Sequence, residues 1–170
     1  MMSKMNETKK YILNASVAEK KLRRIALEII ENNPETEELI LAGIRDNGYN
    51  IAVILQQYIG QYSEIKTKLI SVSLDKKSPG EVKLSENFSY DNKTVVLIDD
   101  VANSGKTMLY AMKPFLDFQP RKIQTVVLVG RSHNSFPIHP DYIGLSIATT
   151  LQEHIFVEVG EGGVTGAYLQ

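Results

Sequence analysis

The stretch TVVLIDDVANSGKTMLYAM, Thr94 to Met112, decides the fold. An unbroken apolar run stops at two adjacent acids, Asp99 and Asp100. Small residues follow, then a glycine, a lysine and a threonine, and then a helical pattern begins. A short run that is apolar on both faces fits a strand buried inside a parallel sheet. That strand is read over Val95 to Asp99, its loop runs through Thr107, and the helix continues to about Phe118.

Working outward, the same alternation recurs. Before this unit, Ser16 and Glu19 have capping-box spacing, and Leu22, Ile25, Ala26, Ile29 and Ile30 form one helical stripe that Asn32, Asn33 and Pro34 end. Glu38 to Ile44 reads as a buried strand, RDNG (Arg45 to Gly48) as a loop, and Tyr49 to Gly60 as a helix. Lys66 to Leu74 is rich in β-branched residues and reads as a strand. The polar run after it carries Pro79 and Gly80 and reads as a long loop or small hairpin. Lys122 to Gly130 is a further buried strand, and residues 142–149 and 154–161 are shorter candidates. Strands alternating with helices predict an α/β fold with a mostly parallel sheet flanked by helices, in one domain over 1–170.

Composition narrows the function classes. Apolar content is 43%, charged content 23% and net charge −1, so no global attraction to nucleic acid or anionic membrane is expected. The chain has no cysteine, which removes disulfides, thiolate metal sites and a cysteine nucleophile. The N-terminal MMSKMNETKKY has no apolar core of signal-peptide length, and no run approaches bilayer length. The expectation is a soluble, cytoplasmic protein with no membrane partner.

Three familiar motifs come close and fail. SGKT ends like a Walker A loop, but Asp100 stands where the first glycine belongs. GEGGVTG, from Gly160, resembles a dinucleotide fingerprint, but Thr165 replaces the third glycine and little chain remains for a helix. A hydrolase elbow around Ser104 would need glycines where Ala102 and Lys106 stand. His133, His139 and His154 lack metal-ligand spacing and read as surface or core residues.

A different chemistry fits. Where a parallel strand turns into a helix, free backbone N–H groups attract an anion. Gly105 lets the backbone approach closely, and Ser104 and Thr107 add hydroxyl donors. Asp99 and Asp100 cannot bind phosphate directly, but they can accept hydrogen bonds from vicinal ribose hydroxyls and help hold Mg²⁺ through water. Anion donors beside a diol-binding acid pair describe a site for a ribose 5-phosphate. The bland reading of the same residues is a strand, a turn and a cap.

VVLIDDVANSGKT resembles the phosphoribosyl-pyrophosphate signature of type I phosphoribosyltransferases. The stretches ILNASVAEKKLRRIALEIIENN, ILAGIRDNGYNIA and VLVGRSHNSFPIHPDYIGLSIATT are similar, in order and spacing, to the uracil phosphoribosyltransferases that double as pyrimidine-operon attenuators. The likeness covers about Ile12 to Val159, and RSHNSFPIHPDYIG discriminates this group from others sharing the cradle motif. It implies a type I fold with a small hood over the base, at about 129–145 with the C-terminal strands, and a mobile flap at about 75–92.

Roles follow from the resemblance residue by residue. Asp99 and Asp100 would hold the ribose hydroxyls, and would hold Mg²⁺ only through water. Ala102, Asn103, Ser104, Gly105, Lys106 and Thr107 would wrap the 5-phosphate. Arg45, Asp46, Asn47 and Gly48 would cover the pyrophosphate, with Arg45 joining the acid pair in catalysis. Lys76 would open the flap, and Val129, Arg131, His133 and Ile138 would form the base side of the hood. The implied reaction displaces pyrophosphate from the ribose of phosphoribosyl pyrophosphate by a nucleobase, uracil first among them, with Mg²⁺ as cofactor. Relatives imply a homodimer or a higher homo-oligomer.

The chain departs from the family at several points. Lys-Thr-Arg-Gly is usual where RDNG stands, so the pyrophosphate loop loses an arginine and gains Asp46. Asp75 and Lys76 replace a tyrosine and an arginine at the flap, which is also shorter, and Ala102 and Asn103 replace bulkier residues. These changes count against an efficient uracil enzyme, and none removes the cradle. For RNA, Lys20, Lys21, Arg23 and Arg24 cluster on one helix, but Glu28 and Glu31 share that face, Leu27 stands where attenuators carry histidine, and no aromatic residue interleaves. A solvated helix face is the better reading of that cluster. The alternatives to an enzyme are a nucleotide- or phosphoribosyl-pyrophosphate-sensing regulator that binds RNA with little catalysis, and a sensing module without RNA.

Overall fold

The computed structural model describes residues 8–75, 77–148 and 153–170. The decisive run forms β5 (Thr94–Ala102), longer than expected, so the acid pair lies within the strand. The extension is real pairing: Val101 stands opposite Val129 and Ala102 opposite Gly130 of β6 (Lys122–Arg131). Val95, Val96, Leu97 and Ile98 are fully buried, as a strand with helices on both faces requires.

Period-two alternation divides these side chains between two cores. Val96 and Ile98 join the cluster formed with α1 (Ala15–Glu31) and α2 (Asn47–Tyr62). Val95 and Leu97 join the other, with Met108, Phe115 and Tyr90. Each fully buried aliphatic side chain contributes roughly 1.5–3 kcal/mol. The main sheet has the order β4-β3-β2-β5-β6-β7, with β2 (Glu38–Ile44), β3 (Lys66–Ser73), β4 (Lys83–Leu84) and β7 (Tyr142–Ile147). Every pairing in it is parallel except β3 with β4. After β2 the chain crosses to β3 on one side and returns as β5 on the other. That reversal opens a crevice at the carboxyl ends of β2 and β5, where ligands bind in such sheets.

A second sheet, order β1-β9-β8, is antiparallel: β1 (Lys10–Asn14), β8 (Ile155–Gly160) and β9 (Gly163–Leu169). Its inner residues Leu13, Ile155, Val157, Val164 and Ala167 pack into the α1/α2 core. β1 and β9 were not expected. GEGGVTG, set aside as a dinucleotide motif, is the β8–β9 hairpin, with Gly160 opposite Gly163.

Other boundaries move for local reasons. Asn14, not Ser16, caps α1, its side chain accepting from the Val17 N–H at 2.9 Å. α2 begins at Asn47, inside the expected RDNG loop. The helix after Gly105 is split into α3 (Lys106–Ala111) and α4 (Lys113–Leu116), because Pro114 supplies no N–H to continue the first. Within the expected flap, described residues are tied to the main sheet and its core. Leu84 pairs with Val72, Ser85 bonds Ser71, and Tyr90, 1% exposed, sits among Phe88, Phe115 and Phe118. The expected hood segment spans the end of β6, an irregular connection and the start of β7.

Candidate active site

The acid pair stands at the crevice, and the strand's alternation sends its two carboxylates different ways. Asp99, 2% exposed, lines a hollow of about 110 Å³ with Val101, Ala102, Ser104, Gly105 and Thr107. One of its oxygens accepts the Asp100 N–H at 2.8 Å. Asp100, 6% exposed, accepts the Val101 N–H at 2.8 Å on Oδ1 and Asn47 Nδ2 at 3.0 Å on Oδ2. A carboxylate has about four acceptor positions, so Asp100, with these two bonds, keeps capacity for a ligand hydroxyl.

The cradle is built by backbone geometry. Gly105 has φ of +86°, a left-handed value that favours glycine, and a Cβ there would meet Ile138 Cβ at 3.2 Å. Ser104 Oγ accepts the Lys106 N–H at 3.2 Å, and the Ser104 carbonyl accepts the Phe136 N–H at 3.1 Å. The β6–β7 connection therefore braces the bend from behind. Lys106 and Thr107 occupy the first turn of α3.

Across the crevice, the first turn of α2 presses on β5. A Cβ at Gly48 would lie 2.6 Å from the Ile98 carbonyl oxygen and 2.9 Å from Asp99 Cα. The contact is with backbone, so no larger residue fits. Arg45 and Asp46 extend into solvent, their side chains 61% and 92% exposed, within 3.9 Å of each other. The Arg45–Asp46 peptide is cis.

Two asparagines fasten the small sheet to this edge. Asn47 Nδ2 donates to the Val157 carbonyl at 2.9 Å. Asn103 Oδ1 accepts the Ile155 N–H at 3.1 Å, and its Nδ2 donates to the Ile155 carbonyl at 3.3 Å. Arg131, 9% exposed, donates through Nη2 to Asn103 Oδ1 at 3.3 Å and to the Glu153 carbonyl. Sequence reasoning did not see these latches, because each joins residues far apart in the chain.

The remaining expected residues separate. Val129 is fully buried, its side chain packed in the α1/α2 core. Ile138 packs on Gly105, and His133 is exposed. Lys76 lies outside the described residues. Among the described residues, no group of three or more His, Cys, Asp or Glu could hold a metal ion. Two carboxylates and no third fit an Mg²⁺ held mostly by ligand oxygens and water. No helix among the described residues is long and apolar enough to cross a membrane.

The basic cluster on α1 is partly spent. Arg24 donates to the carbonyls of Ile143 and Gly144 at 2.8 and 3.2 Å. Contrary to expectation, aromatic residues do accompany it: Arg23 lies over the Tyr58 ring at 5.4 Å, and Tyr58 stacks on Tyr62 at 6.3 Å, both supplied by α2.

Comparison with known proteins agrees with this geometry. The phosphoribosyl transferase domain model matches residues 9–161. The protein called bifunctional protein pyrR of Enterococcus faecalis is 36% identical over 162 residues, covering 90% of this chain and 91% of the relative. Bifunctional protein PyrR of Clostridium novyi is 34% identical over 165 residues, covering 91% and 93%. Among solved structures, the hypoxanthine phosphoribosyltransferase of Trypanosoma cruzi superposes with a TM-score of 0.76 at 15% identity, covering 94% of this chain and 95% of that one. At that identity the likeness speaks for the fold alone. With the domain matched over most of its length and relatives this similar end to end, the chain belongs to the phosphoribosyltransferase family, in the group whose members are called bifunctional protein PyrR.

Proposed function

We propose that the protein transfers ribose 5-phosphate from phosphoribosyl pyrophosphate to uracil, giving uridine 5′-monophosphate and pyrophosphate. The observation that carries this reading is the adjacency of Asp99 to the Gly105 bend at the β2/β5 crossover. It sets diol acceptors beside amide and hydroxyl donors in one hollow.

In this reading the Ala102–Thr107 bend takes the 5-phosphate, while Asp99 and Asp100 accept hydrogen bonds from the ribose hydroxyls. The C1–O bond to pyrophosphate breaks with its electron pair leaving on oxygen, and the C1–N bond to the base forms as the base gives up its N–H proton to the departing pyrophosphate. Asp99 and Asp100 would hold Mg²⁺ through water, and the ion would supply neutralisation of the leaving charge. Arg45, exposed beside Asp46, is the side-chain cation at the pyrophosphate end. The flap expected at about 75–92 would cover the crevice and keep water from the donor. The chain would act in the cytoplasm as a homodimer or a higher homo-oligomer.

The test is release of pyrophosphate from phosphoribosyl pyrophosphate and Mg²⁺ with uracil, run against the other nucleobases. Release with uracil alone supports the reading; release with none, alongside no calorimetric uptake of the donor, removes it.

A regulatory reading also has an observation behind it. Arg23 over Tyr58, the Tyr58–Tyr62 stack and exposed Lys20 offer charge and aromatic surface together. A pyrimidine-operon leader RNA should then bind with a salt-dependent affinity that Arg23→Ala lowers. No binding at low salt would exclude it.

A further inference from the structure

We infer that the Asn47 side chain positions Asp100 and the small sheet and is not itself a pyrophosphate contact. The inference rests on the ribose-phosphate reading of the site and assigns one loop residue a different task within it.

The chemistry of the amide decides the matter. Asn47 Nδ2 has two hydrogens, and both are engaged, one by Asp100 Oδ2 at 3.0 Å and one by the Val157 carbonyl at 2.9 Å. Both partners are acceptors, so the amide can stand only with its nitrogen toward them. That leaves Oδ1, an acceptor, as the side chain's other polar atom, and an acceptor cannot donate to a diphosphate. The neighbours behave differently: Arg45 and Asp46 are solvent-exposed, whereas Asn47 turns inward at the first turn of α2.

Gly48 makes this turn rigid against β5. A Cβ at Gly48 would lie 2.6 Å from the Ile98 carbonyl oxygen, so the first turn of α2 and β5 pack backbone to backbone. Asn47 is therefore held at fixed distance from Asp100, and Asp100 is held in one orientation, with Oδ1 on the Val101 N–H and Oδ2 on the amide. The same amide ties β8 to the crevice. Acid orientation and seating of the small sheet share one hinge group, so a ribose hydroxyl meets a carboxylate that is already aimed.

The prediction separates ligands by the part of the donor they carry. In the full-length chain, Asn47→Ala should weaken uridine 5′-monophosphate and phosphoribosyl pyrophosphate about tenfold each by calorimetry with Mg²⁺, while inorganic pyrophosphate with Mg²⁺ binds within twofold of the parent. In an Asp100→Ala background the same substitution should change monophosphate affinity by less than twofold, because the group it aims is gone. Equal weakening of pyrophosphate alone, or full additivity with Asp100→Ala, overturns the inference. Ligand-free hydrogen exchange is the second readout. Amides of Ile155 to Val159 should exchange about tenfold faster in Asn47→Ala, and in Asn47→Ser if the alanine variant aggregates; unchanged exchange also overturns it. If the parent protein binds none of the three ligands, the parent reading is lost, and the exchange experiment still decides whether Asn47 holds β8.

Discussion

Asn103 and Ile155 are joined as two strand residues are: the carboxamide of one accepts the backbone N–H of the other at 3.1 Å and donates to its carbonyl at 3.3 Å. A side chain in the cradle thus continues the edge of β8. Arg131 completes the unit by donating to the same Oδ1. Asn103→Ala should strip three partners at once and leave Arg131, already without a partner at Nε, short of another. The expected cost is about 1–3 kcal/mol in chemical denaturation, with faster hydrogen exchange confined to β8 and β9. A loss spread evenly over the protein would contradict this local latch.

Gly48→Ala tests the contact between α2 and the acid pair. The new methyl group would meet a carbonyl oxygen at 2.6 Å, and backbone must shift to admit it. Overpacking of this kind costs roughly 1–3 kcal/mol. Thermal unfolding should show the loss, and donor binding should fall further than stability alone explains, because Asp99 moves with the strand.

At Gly105 the cost has a different source. The φ of +86° penalises any Cβ by about 1–2 kcal/mol, and Ile138 stands 3.2 Å from where it would lie. Gly105→Ala should therefore destabilise the fold modestly and also flatten the bend. Thr107→Val, by contrast, removes only a hydroxyl from the hollow wall, and should weaken donor binding by about 1–3 kcal/mol with the melting temperature unchanged. A Thr107→Val protein that binds the donor like its parent would show that this hydroxyl faces no phosphate.

Tyr90 gives the fold an alkaline limit. Burial, then the nearby Glu86 carboxylate, push its phenol up from 10.0 to about 12. The folded state thus holds a proton between these values that the unfolded chain has lost. Stability from this group is complete below about pH 10 and drains away as pH rises through 12, at most roughly 2–3 kcal/mol in all. Tyr90→Phe should lose the hydroxyl bond to the Glu86 carbonyl, 3.0 Å long, yet show a shallower decline in stability between pH 10 and 12. Equal slopes for the two proteins would exclude the phenol as the cause.

Much of this architecture was legible in the residues, and the misses are instructive. Glu38–Ile44 matched its strand at both ends, because a buried strand in a parallel sheet is apolar throughout and its flanks are not. The Asn-Gly pair before Tyr49 read as loop, yet belongs to α2, since tertiary contact with β5 selects a glycine there over any better helix former. Phe88 and Tyr90 were passed over inside a polar run. Two aromatic residues shortly before β5 were the available sign that this part of the expected flap is anchored. β1 and β9 were missed because short antiparallel strands with one wet face carry a weak pattern, and their partners lie at opposite ends of the chain.

The residues alone determined the helices, the buried parallel strands and the chemical inventory of the cradle, since periodicity and turn chemistry are properties of neighbours in sequence. Only the folded chain decided which way each carboxylate faces, that two asparagines bind the small sheet to the crevice, and that Gly48 is a packing requirement. Those outcomes depend on atoms 50 to 110 residues apart arriving within 3 Å, as Asn47 does with Asp100 and Val157. No local pattern encodes such a distance; the pairing of β2 with β5 and the docking of the small sheet create it.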